Sequence, residues 1–441
     1  MEQVISVSCP CLLIGAPSSG SGKTTVTAAL ARWHSRRGRK VKVFKAGPDY
    51  IDPMILQQAC GSEVYSLDLG MMSQQHCQQL LFNAATDADL ILIEGVMGLY
   101  DGHYSAAMLA KTFGIAVALV IDARAMAETF GALAFGLAKA DPELKVVGAL
   151  ANRIASDRHG EMAAEGLSRY AEETLSWLGA VRFDAKLSFP ERHLGLVQAQ
   201  EISQLQQRLD MAADLLEGLP VTQMLPETLF TAPSVPATAG AVKGLQGKTI
   251  AVAKDAAFSF VYAANLDFLR EQGAELVFTS PLADTELPQC DIVYLPGGYP
   301  ELHACALAAN LSYLNSVRQF AGRILAECGG MIYLAETVTD LEEQAYTLAK
   351  LLPIQIHMQN KLQAIGWQKL MTSEGELMAH TFHYSSADVG NIEPTWVAEG
   401  RRAGTGEGVY VRENLIASYL HWYFPSNPQA ALGLLLGSLT H

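Results

Sequence analysis

The chain has 441 residues, of which 50% are hydrophobic and 17% are charged. This length predicts two or three domains, and the hydrophobic content is sufficient for large buried cores. With 31 basic and 45 acidic side chains the formal net charge is −14, so no basic field exists to hold nucleic acid or an anionic membrane surface. The apolar stretches are far shorter than the roughly 20 residues of a membrane span, and we see no secretory signal. We therefore expect a cytoplasmic protein without disulfides.

The first half of the sequence alternates short apolar runs with helical segments. Continuous apolar runs are typical of strands that are buried on both faces, and the helices between them imply right-handed crossovers in a parallel sheet. The predicted strands are Leu12–Ile14, Val41–Phe44, Leu90–Ile93, Ala116–Ile121 and Val146–Leu150. Cys9 and Cys11 form a C-x-C beside the first strand, which we interpret as buried or idle thiols and not as a metal site.

The pattern changes after about residue 222. Met224–Gly247 contains three prolines and many small residues, with little amphipathic pattern. We therefore predict one domain over residues 1–222, a linker over 223–247 and a second domain over 248–441. The second domain again alternates strands with helices, beginning with a predicted strand at Thr249–Ala253. Both domains are expected to be doubly wound α/β folds.

A glycine-rich turn between the first strand and the first helix predicts a phosphate loop. Its backbone N–H groups and the helix N-terminus would hold phosphate oxygens, with Lys23 reaching the β- and γ-phosphates. Pro17 breaks the general motif, which has glycine at that position. The candidate nucleotide ligands in the loop are Ser18, Ser19, Gly20, Ser21, Gly22, Lys23, Thr24 and Thr25. Asn152 ends a later strand and is either a ligand of the nucleotide base or an ordinary turn residue.

Two acidic loops follow other strands of the first sheet. Parallel strands present their carboxyl ends at one edge, so these loops should face the phosphate loop across one crevice. We predict Mg²⁺ ligands at Asp49 and Glu94, together with the Thr24 hydroxyl. Asp52 and Asp101 lie further along the loops and are candidate ligands of a second substrate, although either could simply cap a helix or a turn. Tyr50, next to Asp49, is assigned to the same substrate group.

Cys328 lies between the predicted strand Ile324–Ala326 and a helix, with glycines directly after it. This pattern is typical of a nucleophile elbow. We expect the helix N-terminus to lower the pKa of the thiol and favour the thiolate. Backbone N–H groups of Gly329, and of Gly297 and Gly298 on another loop, would form an oxyanion hole for acyl transfer through a thioester.

The base for Cys328 must come from a distant part of the sequence. His421 follows an apolar strand near the C-terminus and is the best candidate. His383 is the second candidate, and a structural role for it is equally compatible with the sequence.

These motifs together resemble the cobyrinic acid a,c-diamide synthase family over nearly the whole chain. The segments that carry the resemblance are Ala16–Gly20, Gly47–Pro53, Glu94–Gly102, Leu295–Glu301 and Phe382–Ser385. The first half resembles dethiobiotin-synthetase-like phosphate-loop ATPases, and the second half resembles a class I glutamine amidotransferase with a flavodoxin-like sheet. Tyr423 stands where many such amidotransferases carry the acid of a triad, so a Cys–His dyad is implied.

The resemblance implies an ATP- and glutamine-dependent ligase with Mg²⁺ as its cofactor. ATP would phosphorylate the a and c side-chain carboxylates of cobyrinate, and ammonia from glutamine would displace the phosphate. Small-molecule substrates are the implied partners, and the family suggests a homodimer. Alternatives are the same chemistry on hydrogenobyrinate or nickel sirohydrochlorin, and cobyric acid synthase, which Gly47–Pro53 disfavours. A phosphate-loop switch protein with an inactive amidotransferase domain is a different class, disfavoured because Cys328 and His421 are both present.

Overall fold

The chain divides into two compact units in the computed structural model, Met1–Ala237 and Thr238–His441. Residues 5–171, 173–187, 191–192, 195–234, 243–401, 404 and 406–439 are described. Within these ranges no helix combines the length and the apolar character that a membrane span requires.

The first unit alternates strands and helices. Its strands are β1 (Ser6–Gly15), β2 (Val41–Ala46), β3 (Tyr65–Leu67), β4 (Leu90–Glu94), β5 (Ala116–Asp122), β6 (Val146–Ile154), β7 (Ser176–Arg182), β8 (Glu191–Arg192), β9 (Gly195–Leu196) and β10 (Glu227–Thr231). Its helices are α1 (Lys23–Ser35), α2 (Ile51–Cys60), α3 (Gln74–Asp87), α4 (Ala106–Thr112), α5 (Thr129–Lys139), α6 (Asp157–Ala171) and α7 (Leu205–Asp214), with 3₁₀ turns at Ala185–Leu187, Ala199–Glu201 and Pro220–Gln223.

The central sheet of this unit has the strand order β3-β2-β4-β1-β5-β6-β7, and all of these neighbours are parallel. β4 is buried along its entire length, as the apolar run Leu90–Ile93 predicts, and its burial includes the final residue Glu94. Cys9 and Cys11 both lie buried in β1, and the Cys9 thiol donates to the Ala88 carbonyl at 3.5 Å. The parallel order brings the carboxyl ends of β1, β2 and β4 together at one edge.

The predicted linker is not structureless throughout. β10 lies inside the 223–247 segment and pairs antiparallel with the first half of β1, from Ser6↔Thr231 to Pro10↔Glu227. The first unit therefore extends beyond residue 222. The sequence signal was obscured because Glu227–Thr231 is a short edge strand with alternating burial, flanked by prolines. Residues 235–242 of the predicted linker lie outside the described residues.

The second unit has a larger share of strands. They are β11 (Thr249–Ala253), β12 (Glu275–Thr279), β13 (Ile292–Leu295), β14 (Arg323–Glu327), β15 (Thr337–Thr339), β16 (Ala345–Thr347), β17 (Gln355–Met358), β18 (Ala364–Thr372), β19 (Gly375–His383), β20 (Ser385–Asp388), β21 (Trp396–Val397), β22 (Glu399–Gly400), β23 (Gly408–Arg412), β24 (Leu415–Ser418) and β25 (His421–Trp422). The helices are α8 (Ala263–Glu271), α9 (Ala304–Ala309), α10 (Leu311–Arg318), α11 (Gly329–Leu334) and α12 (Pro428–Leu436), with 3₁₀ turns at Pro300–His303 and Phe424–Ser426.

The main sheet of the second unit has the order β12-β11-β13-β14-β24-β23-β21. Strands β12 to β24 in this order are parallel, whereas β23 and β21 extend the sheet antiparallel. Along β11, Ala251 and Ala253 enter one hydrophobic core, while Ile250 and Val252 enter the other. Successive side chains point to opposite faces, so the sheet is buried on both sides.

Two small sheets that the sequence reading did not predict lie beside this main sheet. One has the order β16-β15-β17-β20, and the other has the order β22-β18-β19-β25. The second places His421 at the start of β25, opposite His380 of β19. The candidate base therefore lies in this antiparallel sheet and not in the main sheet.

Candidate active site of each unit

The phosphate loop joins β1 to α1, as predicted, and it is closed by glycines in the left-handed region. Gly22, the residue before α1, has φ +94°, a conformation that disfavours any side chain. A Cβ at Gly22 would also lie 2.2 Å from Asn152 Nδ2. The loop is therefore compact enough for its backbone N–H groups to reach an anion.

A cavity of about 860 Å³ opens at this edge of the first unit. The predicted residues among its lining are Ser19, Gly20, Gly22, Lys23, Thr24, Thr25, Asp49, Asp52, Glu94 and Asn152. Ser21 is buried beneath the loop, where its hydroxyl donates to the Ser18 carbonyl at 3.0 Å. The structure thus brings the phosphate loop and both acidic loops around one space.

The Asn152 side chain is hydrogen-bonded to the backbone of the phosphate loop. Its Nδ2 donates to the Ser21 carbonyl at 2.9 Å, and its Oδ1 accepts from the Arg153 backbone N–H at 3.0 Å. Both polar atoms of the side chain are therefore engaged by the protein. Of the two roles that the sequence left open, nucleotide-base ligand or structural turn residue, this geometry favours the structural one.

Lys23 is held by backbone carbonyls in this structure. Its Nζ donates to Met97 O at 2.6 Å and to Ser18 O at 3.2 Å. Burial, followed by the nearby Lys45 ammonium, lowers the pKa of Lys23 to about 8. A phosphate group beside Lys23 would favour the charged ammonium and replace these carbonyl acceptors.

Lys45 is the main group that the sequence reading missed. This buried lysine is the penultimate residue of β2 and contacts three carboxylates, with Nζ 2.6 Å from Asp52 Oδ2, 3.0 Å from Glu94 Oε1 and 3.7 Å from Asp49 Oδ2. Burial alone would lower the pKa of Lys45, but the carboxylates outweigh burial and raise it. The signal available in the sequence was a lysine at the inner end of a buried strand, followed by acids four and seven residues later.

Glu94 joins the phosphate loop to this cluster. Its Oε1 accepts from the Thr24 hydroxyl at 2.6 Å as well as from Lys45. Its Oε2 is buried, and no hydrogen-bond partner within the described ranges reaches it. Burial raises the pKa of Glu94, which shows the cost of a carboxylate without enough positive charge around it.

This donor set fits Mg²⁺. The ion prefers oxygen ligands and normally keeps phosphate oxygens and waters, so a complete protein cage is not required. In the described part of the chain no three acidic, histidine or cysteine side chains are grouped so that they could hold an ion by themselves. Glu94 and Thr24, with Asp49 nearby, supply oxygens next to the phosphate loop. A cation bound there would pair with the buried Glu94 Oε2, which no hydrogen-bond donor of the described residues reaches.

The residues predicted to contact the second substrate have different surroundings in the structure. Asp52 lies inside the Lys45 cluster, where its charge is paired despite burial and its pKa is lowered. Asp101 instead closes its own loop, accepting from the Gly98 backbone N–H at 2.8 Å. Tyr50 immediately precedes α2 and is half-buried.

Cys328 occupies a sharp turn between β14 and α11. Its φ of +43° and ψ of −101° are strained for a residue with a side chain, as expected at a nucleophile elbow. A Cβ at Gly330 would lie 2.1 Å from the Leu295 carbonyl, so this turn requires glycine. The sequence prediction of the elbow matches this geometry.

Our expectation about the thiol itself is wrong for the free protein. Burial is the largest effect, and together with nearby carboxylates it raises the pKa of Cys328 above its usual value. The Gly329 backbone N–H lowers this pKa but does not outweigh burial. The thiolate therefore needs a base, and α11, with only 6 residues, is a short helix to assist it.

The loop after β13 lies against both members of the proposed dyad. A Cβ at Gly297 would be 2.2 Å from His421 Cε1, and a Cβ at Gly329 would be 2.9 Å from the Gly298 nitrogen. The three glycines thus allow the imidazole and the start of α11 to approach the same loop. This placement is compatible with an oxyanion hole built from their N–H groups.

His421 is buried and neutral. Burial, followed by the charges of His380 and His383, lowers the pKa of His421 to about 3. A neutral imidazole can accept the thiol proton, which a pre-charged one cannot. Tyr423 is buried and its ring packs against Tyr262, so the usual acid of a triad is replaced by an aromatic contact.

Glu327 is a second residue that the sequence reading missed. It precedes the nucleophile, and its carboxylate accepts from Tyr294 Oη at 2.9 Å and from the Trp422 backbone N–H at 3.2 Å. The latter bond ties β14 to β25 and so fixes the strand that carries His421. Glu327 is therefore a positioning residue.

His383 lies near Cys328 but is engaged elsewhere. The Cys328 thiol is 3.9 Å from the Phe382 carbonyl, one residue before His383. Nδ1 of His383 is 2.8 Å from the Ser385 carbonyl, and Nε2 is 2.9 Å from Glu407 Oε1. Since both ring nitrogens face acceptors, the geometry favours His421 as the base.

Comparisons with known proteins match both units. Residues 12–197 match the CobQ/CobB/MinD/ParA nucleotide binding domain, and residues 249–429 match the CobB/CobQ-like glutamine amidotransferase domain. Over 98% of the chain and 99% of the relative, the sequence is 50% identical to the hydrogenobyrinate a,c-diamide synthase of Stutzerimonas stutzeri. The protein of the same name from Pseudomonas aeruginosa is 49% identical, with 97% of each chain covered.

A relative with a different name is nearly as similar. The cobyrinate a,c-diamide synthase of Herminiimonas arsenicoxydans is 46% identical, with 95% of each chain covered. This identity extends over nearly the whole of each chain, and the two matched domain models follow each other along the sequence. The chain belongs to the cobyrinate and hydrogenobyrinate a,c-diamide synthase family.

Proposed function

We propose that this protein uses ATP and glutamine to amidate the a and c side-chain carboxylates of a corrin, cobyrinate or hydrogenobyrinate. One observation supports the proposal above all: the Thr24 hydroxyl and the Lys45 ammonium both donate hydrogen bonds to Glu94 Oε1. The phosphate loop and both acidic loops therefore line one cavity. A carboxylate is a poor electrophile, so phosphoryl transfer to it must precede attack by ammonia.

In the first unit, the phosphate loop would bind ATP and Lys23 would meet its terminal phosphates. Glu94, Thr24 and Asp49 would hold Mg²⁺, which neutralises phosphate charge during transfer. Transfer of the γ-phosphoryl group to the acceptor carboxylate yields ADP and an acyl phosphate. Ammonia then attacks the acyl carbon, and inorganic phosphate leaves with the electron pair of the broken C–O bond.

In the second unit, His421 would accept the Cys328 proton as the sulfur attacks the glutamine amide carbon. The amide nitrogen leaves as ammonia after taking up a proton, and water hydrolyses the thioester to glutamate. Gly297, Gly298 and Gly329 would supply the oxyanion hole. Tyr50, Asp52 and Asp101 are our proposed contacts to the corrin, with Asp52 also supporting Lys45.

Mass spectrometry of the products tests the acceptor. The purified protein is supplied with ATP, Mg²⁺ and glutamine labelled with ¹⁵N in the amide, and with cobyrinate and hydrogenobyrinate in competition. We expect two labelled nitrogens in the preferred corrin, and the Lys23→Ala variant should form no product. Two matches at 49–50% identity bear the name hydrogenobyrinate a,c-diamide synthase, which favours that acceptor.

Other acceptors and classes make distinct predictions. Labelling of nickel sirohydrochlorin alone would move the chemistry to another macrocycle, and labelling at carboxylates other than a and c would indicate the cobyric acid synthase reaction. Absence of any ammonia release from glutamine would favour a phosphate-loop switch protein with an inactive second unit. We further propose that the protein is cytoplasmic and forms a homodimer. Sedimentation equilibrium would test the dimer.

A further inference from the structure

The His383–Glu407 pair beside the nucleophile has no role in the reaction as described above. His383 is almost completely buried and its ring stacks on Tyr419, with centroids 3.8 Å apart and planes at 9°. The Phe382 carbonyl that contacts the Cys328 thiol directly precedes it. Taking a histidine and a carboxyl group out of water at this position costs desolvation free energy, which calls for a functional or structural reason.

The hydrogen bonds of the His383–Glu407 pair indicate where its protons lie. Nδ1 of His383 faces the Ser385 carbonyl, which can only accept, so this nitrogen carries a hydrogen. Nε2 faces Glu407 Oε1, so a second proton lies between them. The imidazole offers no lone pair to Cys328. Its effect is to fix the Glu407 carboxylate.

Glu407 is held firmly, but only through one of its oxygens. Oε1 accepts from His383 and from the Thr381 hydroxyl at 3.1 Å, and the backbone N–H of Glu407 donates to Gln368 Oε1 at 2.8 Å. In the described ranges no hydrogen-bond donor engages Oε2. The side chain keeps 16% of its surface exposed, so Oε2 remains available to a ligand.

The substrate of this unit brings a group that would complete this site. Glutamine carries an α-ammonium and an α-carboxylate, and charged groups that leave water need a partner of opposite charge. Glu407 is close enough to Cys328 for its negative charge to raise the pKa of the thiol. A cation bound at Glu407 would offset that effect when glutamine is present.

Two other carboxylates, Glu327 and Glu301, also act on Cys328 and could in principle bind the same ammonium group. Both oxygens of Glu327 are occupied, by Tyr294 and by the Trp422 N–H. Glu301 is the stronger competitor, because its charge also raises the pKa of the thiol. Burial raises the pKa of Glu301 to about 7, so it is in part uncharged at neutral pH and is the poorer partner for an ammonium group.

We propose that Glu407, positioned by His383 and Thr381, binds the α-ammonium group of glutamine and selects this amino acid over amides that lack it. The proposal rests on glutamine being the nitrogen donor, and it assigns Glu407 as a specificity-determining residue. His383 and Thr381 are positioning residues because they act through Glu407.

The test compares glutamine with 4-carbamoylbutanoate, which keeps the side-chain amide and the carboxylate but lacks the α-amino group. Ammonia release from both amides is measured with the full chain, ATP and the corrin acceptor. For Glu407→Gln we expect kcat/KM for glutamine to fall about 10- to 100-fold, the usual effect of losing a hydrogen bond between charged groups. The kcat/KM for 4-carbamoylbutanoate should change less than threefold, so the preference for glutamine collapses.

The controls separate this proposal from its competitors. Glu399→Gln removes an exposed carboxylate that pairs with Lys369 and should keep the preference of the wild type. An equal loss for both amides in Glu407→Gln would make the pair merely structural and overturn the proposal. Collapse of the preference in Glu301→Gln, with Glu407→Gln unaffected, would also overturn it. If the wild type released no ammonia from glutamine, the glutaminase function itself would fail first.

Discussion

Thr24 and Glu94 are 70 positions apart in the sequence, and the Thr24 hydroxyl donates to Glu94 Oε1 at 2.6 Å. This bond links the first turn of α1 to the end of β4, so the phosphate loop and an acidic loop cannot move independently. The same carboxylate oxygen accepts from Lys45, which extends the link to β2.

Lys45→Met should destabilise the first unit by about 3 to 5 kcal/mol at neutral pH, because it leaves buried carboxylates without their cation. Burial by itself would raise the pKa of Asp52, and the charge of Lys45 lowers it. In the wild type the stability that Asp52 contributes is therefore kept down to its unfolded pKa of about 3.9, whereas in the variant the unpaired carboxylate takes up a proton as the pH falls towards 4, which relieves the cost of burying its charge. Denaturant unfolding at pH 7 and pH 4 measures this. The difference from wild type should be smaller at pH 4, and an equal difference at both would contradict the prediction.

The acidic residues should separate into two kinetic groups. Glu94→Gln and Asp49→Asn alter the Lys45 cluster and should lower kcat, about 10²-fold for Glu94→Gln, and raise the Mg²⁺ requirement. Asp52→Asn should show this effect together with a higher corrin KM, because Asp52 both pairs with Lys45 and is a proposed corrin contact. Asp101→Asn weakens the bond to the Gly98 N–H and should mainly raise the corrin KM. Joint titration of Mg²⁺ and corrin distinguishes these effects. A common pattern in all four variants would mean that the loops act as one network.

Asn152→Ala should weaken ATP binding about tenfold by loosening the phosphate loop, since it removes the bond to the Ser21 carbonyl. The ratio of ATP to GTP affinity should stay the same, because the amide atoms are engaged by the protein and not by a base. Calorimetric titration with both nucleotides checks this. A changed ratio would restore the role in base recognition that the sequence suggested.

Cys328→Ala should lose at least about a thousandfold of the glutamine-dependent activity. Amidation with added ammonium salt should persist within about twofold, since the thiol serves only glutamine hydrolysis. Replacement of the exposed Cys305 by alanine is the matched control and should leave both activities unchanged. Equal loss of both activities in a folded Cys328→Ala protein would show that the two units do not divide the chemistry as proposed.

His421 should make the second unit sensitive to acid. Burial holds the pKa of His421 at about 3 in the folded protein, against about 6.5 in the unfolded chain. The unfolded state therefore binds the extra proton between these values, and stability falls with decreasing pH by about 1.4 kcal/mol per unit for this residue. His421→Gln should reduce the slope of unfolding free energy between pH 6 and about 4 by that amount. An unchanged slope would mean that His421 is already protonated in the fold.

The apolar runs made the main sheets and the two strand-to-helix turns predictable, because buried parallel strands read as continuous hydrophobic sequence. The role of Lys45 was not predicted because its partners lie on two segments, the start of α2 and the end of β4, that meet only after folding. The antiparallel sheet that contains His421 was not predicted because β25 is only two residues long. The Glu407–His383 pair joins β19 to the residue before β23, a contact that local patterns do not report.

The pairing of β10 with β1 decides where the first unit can be separated from the second. A fragment that ends at residue 222 would leave Ser6–Pro10 without the strand that pairs with it. Unpaired strand edges associate with other chains, so such a fragment should aggregate when expressed alone. A fragment that ends at residue 234 would keep the edge covered, and its nucleotide binding could then be measured without the glutamine-hydrolysing half.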